Sequence, residues 1–214
     1  MNARICIFLS LISLAIASTV ASAYPIRLEH FGEGSGQIGD TIFNNKAFKV
    51  TGIADTQNVT FTGMSDPAQP PGIGLFSLNH LVTTIDIQDV GQFRITSGTR
   101  TFCNNELSVI GWSRSASLAD IFNGPHDPVF SGWRIGSELE ETVGIGVLYN
   151  YPEDQPVTTT GGDLKFVGQS DVTARFRAVY IPEPSTPHLL ALSAVALIRR
   201  RRPQPPATSQ RKQT

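Results

Sequence analysis

Cysteine is almost missing from this chain of 214 residues: only Cys6 and Cys103 carry a thiol. Cys6 lies in an N-terminal apolar run, so removal of that run leaves Cys103 alone and excludes an internal disulfide framework. Histidine is also scarce. His30, His80, His126 and His188 fall in no compact ligand spacing such as H-E-x-x-H, and a catalytic zinc site has no support. There is no P-loop, no dinucleotide fingerprint and no serine-nucleophile elbow. Helix-forming periodicity is missing from the body, which leaves nothing to serve as a parallel crossover. No internal repeat, coiled coil or extended low-complexity block precedes the tail. Basic charge is short where it matters: residues 24–181 hold ten Lys and Arg against seventeen Asp and Glu, a net charge of −7. Nucleic-acid affinity comes mainly from cationic contacts, so no nucleic-acid partner is expected.

What is present begins with the two ends. Arg4 precedes an apolar run from Ile5 to Ile16 and the small residues Ala21-Ser22-Ala23. This is a charged region, a hydrophobic region and a cleavage site, so residues 1–23 read as a secretory signal peptide forming a helix, cleaved after Ala23. A retained N-terminal anchor is the alternative reading. At the other end stand Ile181-Pro182-Glu183-Pro184-Ser185-Thr186, an apolar run from Leu189 to Ile198, and Arg199, Arg200, Arg201 and Arg202. Two prolines remove two backbone donors, so no strand passes through Pro182 and Pro184. The Ala- and Leu-rich run favours helix and spans about 15 Å, roughly half the hydrocarbon thickness of a bilayer. Four arginines then stop translocation.

This order of breaker, short apolar helix and basic stop closely resembles the PEP-CTERM sorting signal of Gram-negative bacteria, a segment also called the ice-binding protein C-terminal domain without evidence of ice binding. The match covers Pro182, Glu183, Pro184, Ser185 and Thr186, the apolar run and the arginine cluster. The apolar run is short, and Pro203 to Thr214 continues past the arginines where family members usually stop. The resemblance implies an exosortase-type membrane protease that recognises Pro-Glu-Pro, transient membrane insertion by a transmembrane C-terminal helix, and a host that makes exopolysaccharide. It implies delivery to the cell envelope, cell surface or extracellular matrix. The chain is accordingly divided into a signal peptide (1–23), a β body (24–181), a sorting signal (182–202) and a polar tail (203–214).

The body reads as about a dozen short strands cut by turns. Tyr24 to Phe31 is followed by a turn at Gly32-Glu33-Gly34-Ser35-Gly36. Ile38 to Phe43 and Ala47 to Ile53 flank Asn44-Asn45 as a hairpin. Val59 and Phe61 alternate with Thr60 and Thr62, and Ser65 to Gly72 is a Pro-rich loop. Strands are expected at Ile73 to Leu78, Val82 to Val90, Gln92 to Ile95, Thr99 to Cys103 and Leu107 to Trp112. Ser117 to Phe122 has the one plausible helical turn, interrupted at Asn123-Gly124-Pro125-His126-Asp127-Pro128. Val129 to Ile135, Thr142 to Tyr149, Leu164 to Val167 and Val172 to Tyr180 complete the set, with Tyr151 to Gly162 as a loop. In the last strand Val172, Ala174, Phe176, Ala178 and Tyr180 share one face. The pattern predicts an all-β fold: a single antiparallel β-sandwich or jelly-roll-like domain.

Candidate chemistry is thin. Glu138, Glu140 and Glu141 are the densest acidic group. With a partner such as Asp163, Glu138 or Glu140 could form the carboxylate pair of a glycoside hydrolase; a charged strand edge explains the same residues. His126-Asp127 reads as loop. Asp55, Asp66, Asp127, Asp154, Asp163 and Asp171 sit at turns, where aspartate bonds to its own backbone; no calcium loop or other cofactor motif is found, and structural calcium is the only ion these oxygens suggest. Trp112, Trp133, Tyr149 and Tyr151 could stack on sugars, although the tryptophans lie in apolar segments that favour core packing. Cys103 is expected to be a buried thiol. The reading that results is a non-enzymatic exported surface or matrix protein, structural or adhesive, with exopolysaccharide as its expected partner. The alternative is a secreted carbohydrate-active hydrolase or glycan-binding module.

Overall fold

The computed structural model describes residues 24–62, 74–116, 119–150 and 156–182. The signal peptide with its Ala23 junction, the loop at Ser65 to Gly72, Tyr151, and Glu183 onward with Arg199, Arg200, Arg201 and Arg202 lie outside the described residues. The described residues contain eleven strands, one short 3-10 turn and no α-helix, and thus no helix long and apolar enough to cross a membrane.

The strands are β1 (Pro25–Ile38), β2 (Thr41–Thr62), β3 (Leu75–Ile87), β4 (Gly91–Ile95), β5 (Thr99–Asn104), β6 (Val109–Arg114), β7 (Asp120–His126), β8 (Leu139–Leu148), β9 (Val157–Thr159), β10 (Gly162–Phe166) and β11 (Gln169–Tyr180). All pair antiparallel in one sheet of order β10-β9-β4-β3-β2-β1-β11-β8-β7-β6-β5, with further pairings of β10 to β1 and β3 to β5. These two pairings return both ends of the order to the middle. One closed path runs β1-β2-β3-β5-β6-β7-β8-β11, and a second runs β1-β2-β3-β4-β9-β10. Closure satisfies backbone groups that a terminal strand would otherwise present to solvent.

Of the three long shared strands, β1 and β3 each change partner along one edge, and β2 lies between them. On β1, Ile26 to Phe31 pair with β11 and Gly36 to Ile38 with β10. On β3, Leu75 to Asn79 pair with β5 and Thr83 to Ile87 with β4.

This length is where the structure departs from expectation. The expected turn at Gly32 to Gly36 is strand: β1 runs through it, and the chain reverses at Gly39-Asp40 instead. Gly32, Gly34 and Gly36 alternate, so they share a face apart from the local bulge between Gly34 and Gly36. That face has no room for side chains. A Cβ on Gly32 would meet the Phe48 ring at 2.6 Å, one on Gly34 the Leu148 methyl at 2.4 Å, and one on Gly36 the Lys165 carbonyl oxygen at 2.3 Å. The glycines admit neighbours; they do not turn the chain. Likewise Asn44-Asn45 is no hairpin. Asn45 takes φ 47° within β2, where its backbone N–H and side chain bond the Ser35 hydroxyl at 3.0 and 3.2 Å.

Three further corrections follow the same logic. The two strands expected at Ile73 to Leu78 and Val82 to Val90 form one strand, β3, because the β2 ladder continues past Leu81 through a register shift while the other edge passes from β5 to β4. Of the helical turn expected at Ser117 to Phe122, Ser117 and Leu118 lie outside the described residues, and from Asp120 the chain is β7, which reaches His126 through Gly124-Pro125. Val129 to Ile135 is not a strand; Pro128–Ser131 is the 3-10 turn, capped by the Asp127 carboxylate, which accepts the Val129 N–H at 2.8 Å. β9 was not expected. By contrast, β11 matches: Val172, Ala174, Phe176 and Ala178 are buried, Tyr180 is at the partly exposed end, and the strand stops before Pro182.

Two apolar cores result. The larger gathers Phe43, Phe48, Ile85, Ile87, Trp112, Phe122, Leu148 and Phe166. The smaller gathers Ile26, Leu28, Leu78, Cys103, Ile110, Phe130, Trp133 and Phe176. The 3-10 turn plugs the smaller core, its Phe130 packing edge-on against Trp133 and Phe176 with ring centroids 6.1 Å away. Asn105 secures the plug by donating to the carbonyls of Phe130 and Trp133.

Because the obstacle at Gly36 is backbone, Gly36→Ala is expected to destabilise the protein by about 2–3 kcal/mol. Gly132→Ala, with nothing within 4 Å of the new methyl, should stay within about 0.5 kcal/mol of the parent. Urea unfolding followed by tryptophan fluorescence measures both, and equal midpoints would contradict the packing role of the glycine face.

Candidate functional site

Between the two cores lies a polar layer. On β1, Leu28 belongs to the smaller core and Gly32 abuts Phe48 of the larger; the inward residue between them is His30. On β2 the sequence of inward positions is Val50, Gly52, Ala54, and on β3 Leu78 and Ile85 are separated by His80 and Thr83. β5 contributes Thr99 and Thr101 above Cys103. Gly52 makes space for an imidazole: a Cβ there would stand 2.5 Å from His80 Nε2.

These groups join into one chain of hydrogen bonds. His30 Nε2 and His80 Nε2 each lie 2.9 Å from Thr101 Oγ1; His80 Nδ1 is 3.0 Å from Thr99 Oγ1, which is 2.8 Å from Thr83 Oγ1. Burial drives both imidazole pKa values down to about 3, and for His30 the second imidazole adds repulsion. Both rings are therefore neutral at ordinary pH. Among the described residues His30 Nδ1 has no partner, so the network is best satisfied with the His30 proton on Nε2. Thr101 then accepts from His30 and donates to His80 Nε2, His80 Nδ1–H donates to Thr99, and Thr99 donates to Thr83. Both nitrogens of His80 are engaged, and the one basic nitrogen left over, His30 Nδ1, is buried.

The chain surfaces in a cleft. Where β3 leaves β5 and joins β4, the strands fork and enclose about 360 Å³. His80, Thr83 and Thr99 line it beside Thr96, Ser97 and Thr160, with Leu81 and Val82 on the β3 side and Arg94 on the β4 side. Arg94 is fixed through its backbone N–H, which donates to Thr160 Oγ1 at 3.1 Å; its guanidinium makes no ion pair or hydrogen bond among the described residues. No described lining residue is Asp or Glu.

The acidic group expected to matter is occupied elsewhere. Glu138 Oε1 accepts the Tyr180 N–H at 3.0 Å, and Glu141 pairs with Arg175 at 3.1 Å. Glu29 pairs with Arg177 and raises the guanidinium's pKa further; both Arg175 and Arg177 cover the Phe31 ring. Glu138 adjoins Tyr180, which pairs with Ile26 at one end of β1, whereas Asp163 precedes Leu164, which pairs with Ile38 at the other end. The carboxylate pair does not form. The charged-edge reading fits in part: β7 pairs with β8 at Ile145, Val147 and Leu148, leaving the first half of β8 with a ladder to β11 alone.

Other expected residues are placed as follows. His126 is exposed beside the Asp127 cap. Asp55 bonds the Gln57 N–H at 2.9 Å, an ordinary aspartate turn. Trp112 and Trp133 are in the core, and of the described aromatics in the expected sugar platform only Tyr149 is exposed. No three His, Cys, Asp or Glu side chains converge among the described residues. Cys103 is fully buried, and burial pushes its thiol up to about 12.

The histidine–threonine layer and Arg94 were missed by spacing rules for metal and catalytic motifs. A usable signal was there: Leu28-x-His30 and Thr99-x-Thr101-x-Cys103 place polar residues on the buried parity of their strands. Comparison of the chain with family models, curated proteins and solved structures finds no match.

Two measurements test this layer. Below about pH 6.5 the unfolded chain takes up two protons that the folded imidazoles refuse until about pH 3. Stability should therefore fall by about 4 kcal/mol between pH 7.5 and pH 5, read from urea midpoints, and most of that slope should vanish in a His30→Phe, His80→Gln double variant. Thiol labelling of Cys103 should be slow in the native protein and rapid after denaturation; rapid native labelling would show an open smaller core.

Proposed function

We propose that this protein is exported, sorted by its Pro-Glu-Pro terminal signal and delivered to the cell envelope or extracellular matrix, where its β body acts as a structural or adhesive component without catalysis. The observation that carries the reading is the tripartite order of Pro182-Glu183-Pro184, an apolar run and four arginines. Its position relative to the body supports it. The Ile181 N–H donates to the Pro25 carbonyl at 2.8 Å, and Pro182, next in the chain, is exposed. Among the described residues, the Pro182 that opens the recognition motif directly follows the last residue with a backbone bond to the sheet.

The partner in processing is an exosortase-type protease, and exopolysaccharide is the partner of the delivered body. A single jelly-roll-like sandwich is the finer reading of the fold; the antiparallel pairing and closed sheet edges favour it. Absence of catalysis is supported by the engagement of Glu138 and Glu141 with protein partners and by the separation of Asp163 from them. A glycan-binding module is the second reading, favoured by the open, hydroxyl-lined cleft at the fork of β3.

Replacing Pro182, Glu183 and Pro184 with alanine is expected to leave export intact and to block processing, so the variant should keep its C-terminal peptide. Mass spectrometry of the exported protein reads the outcome directly. The same mature C-terminus in parent and variant would overturn the sorting proposal.

A further inference from the structure

We propose that the cleft at the fork of β3 binds a carboxylate-bearing sugar residue, with Arg94 as the group that reads the acid. The proposal deepens the adhesive part of the function above and rests on it for the choice of a sugar over other small acids.

Charge distribution comes first. The body carries −7, and acidic side chains line other surface clefts: Glu138, Glu140 and Glu141 in one, Glu33 and Asp171 in another. The β3 fork holds none. Asp86, on the same face of β3 two residues from the Arg94 partner Thr84, pairs with Gln92 and stays outside the cleft lining. An arginine without an ion partner among the described residues thus lines a cleft whose described lining holds no carboxylate. A guanidinium presents a planar fork of donors matched to a carboxylate's two oxygens. The negative body repels anions at long range, but salt screens that repulsion beyond about 8 Å, so one acid group is read at contact.

The rest of the cleft suits a sugar ring. Hydroxyls of Thr83, Thr96 and Thr160, each held by one protein partner, keep capacity for a further hydrogen bond, and the Ser97 hydroxyl is buried in the wall without a partner among the described residues. Leu81 and Val82 are 64% and 42% exposed and form an apolar ledge, the surface that packs against the C–H face of a pyranose. The volume of about 360 Å³ is near the lower bound for small-molecule sites, about 300–1,000 Å³. The floor is preformed, because Thr83, Thr99 and His80 are locked by mutual hydrogen bonds; little ordering is needed on binding.

The test is a titration of the isotope-labelled full-length protein with glucuronate, glucose and inorganic phosphate, followed by amide NMR shifts. Glucuronate is expected to move the amides of Leu81 to Thr83 and Arg94 to Thr99 with a dissociation constant of about 1–10 mM. Glucose and phosphate should each bind about tenfold more weakly. Arg94→Gln should erase the preference for glucuronate over glucose, while Arg134→Gln, an exposed arginine elsewhere, should preserve it; the parent-like spectrum of each variant reports that it folds. Equal affinity for glucuronate and glucose would overturn the role of Arg94. Phosphate binding as tight as glucuronate would overturn the sugar assignment, and no shift at these amides with any ligand would overturn the site. None of these outcomes alters Pro-Glu-Pro processing, so failure here is separable from failure of the sorting proposal.

Discussion

One threonine hydroxyl, Thr101 Oγ1, holds two neutral imidazoles at the same distance, one from β1 and one from β3. Every strand that builds the polar layer is in register with that contact. Moving β1 by one residue against its neighbours would turn His30 outward and bring a neighbouring side chain inward, because side chains alternate across a strand. Leaving buried polar atoms unpaired costs about 1–3 kcal/mol per group, so the network penalises misregister even though it adds little net stability. It also divides the interior. Apolar residues above and below it form two cores, and Gly52 is small because the His80 ring needs the space.

The same strands that carry this layer also close the sheet. β1 and β3 each exchange one partner for another midway along their length, and each exchange opens a fork in the surface. One cleft lies where the β3 ladder passes from β5 to β4. The β3 fork sits directly over the polar layer, and a rigid hydrogen-bonded floor lies beneath a groove with one cation and many hydroxyls. The long strands are possible only because Gly32, Gly34 and Gly36 let aromatic and aliphatic side chains, and the β10 backbone, approach β1 closely.

Function divides between the ends and the body. Export and sorting are proposed from short linear motifs at the two ends of the chain. In the body, several acidic residues serve ion pairs, a cap and a turn, others line surface clefts, and the described lining of the β3 fork holds none. The two histidines of the polar layer are neutral and engaged on three of their four nitrogens, His30 fully buried and His80 part-buried at the floor of the cleft.

Alternation along Val172 to Tyr180, proline at 182 and the short apolar spacing of the body were enough to establish an all-β chain, where its last strand stops and that Cys103 is buried. These are local properties, set by side-chain parity and by the missing donor of proline. Which glycines turn the chain and which lie flat in a strand was decided by tertiary structure, because the Phe48 and Leu148 side chains that occupy the space over Gly32 and Gly34 come from other strands. The pairing of His30 with His80, 50 residues apart, through Thr101 was likewise invisible along the chain. Only the closure of β3 onto β5 puts one hydroxyl between two distant imidazoles, and a contact made by closure has no linear signature.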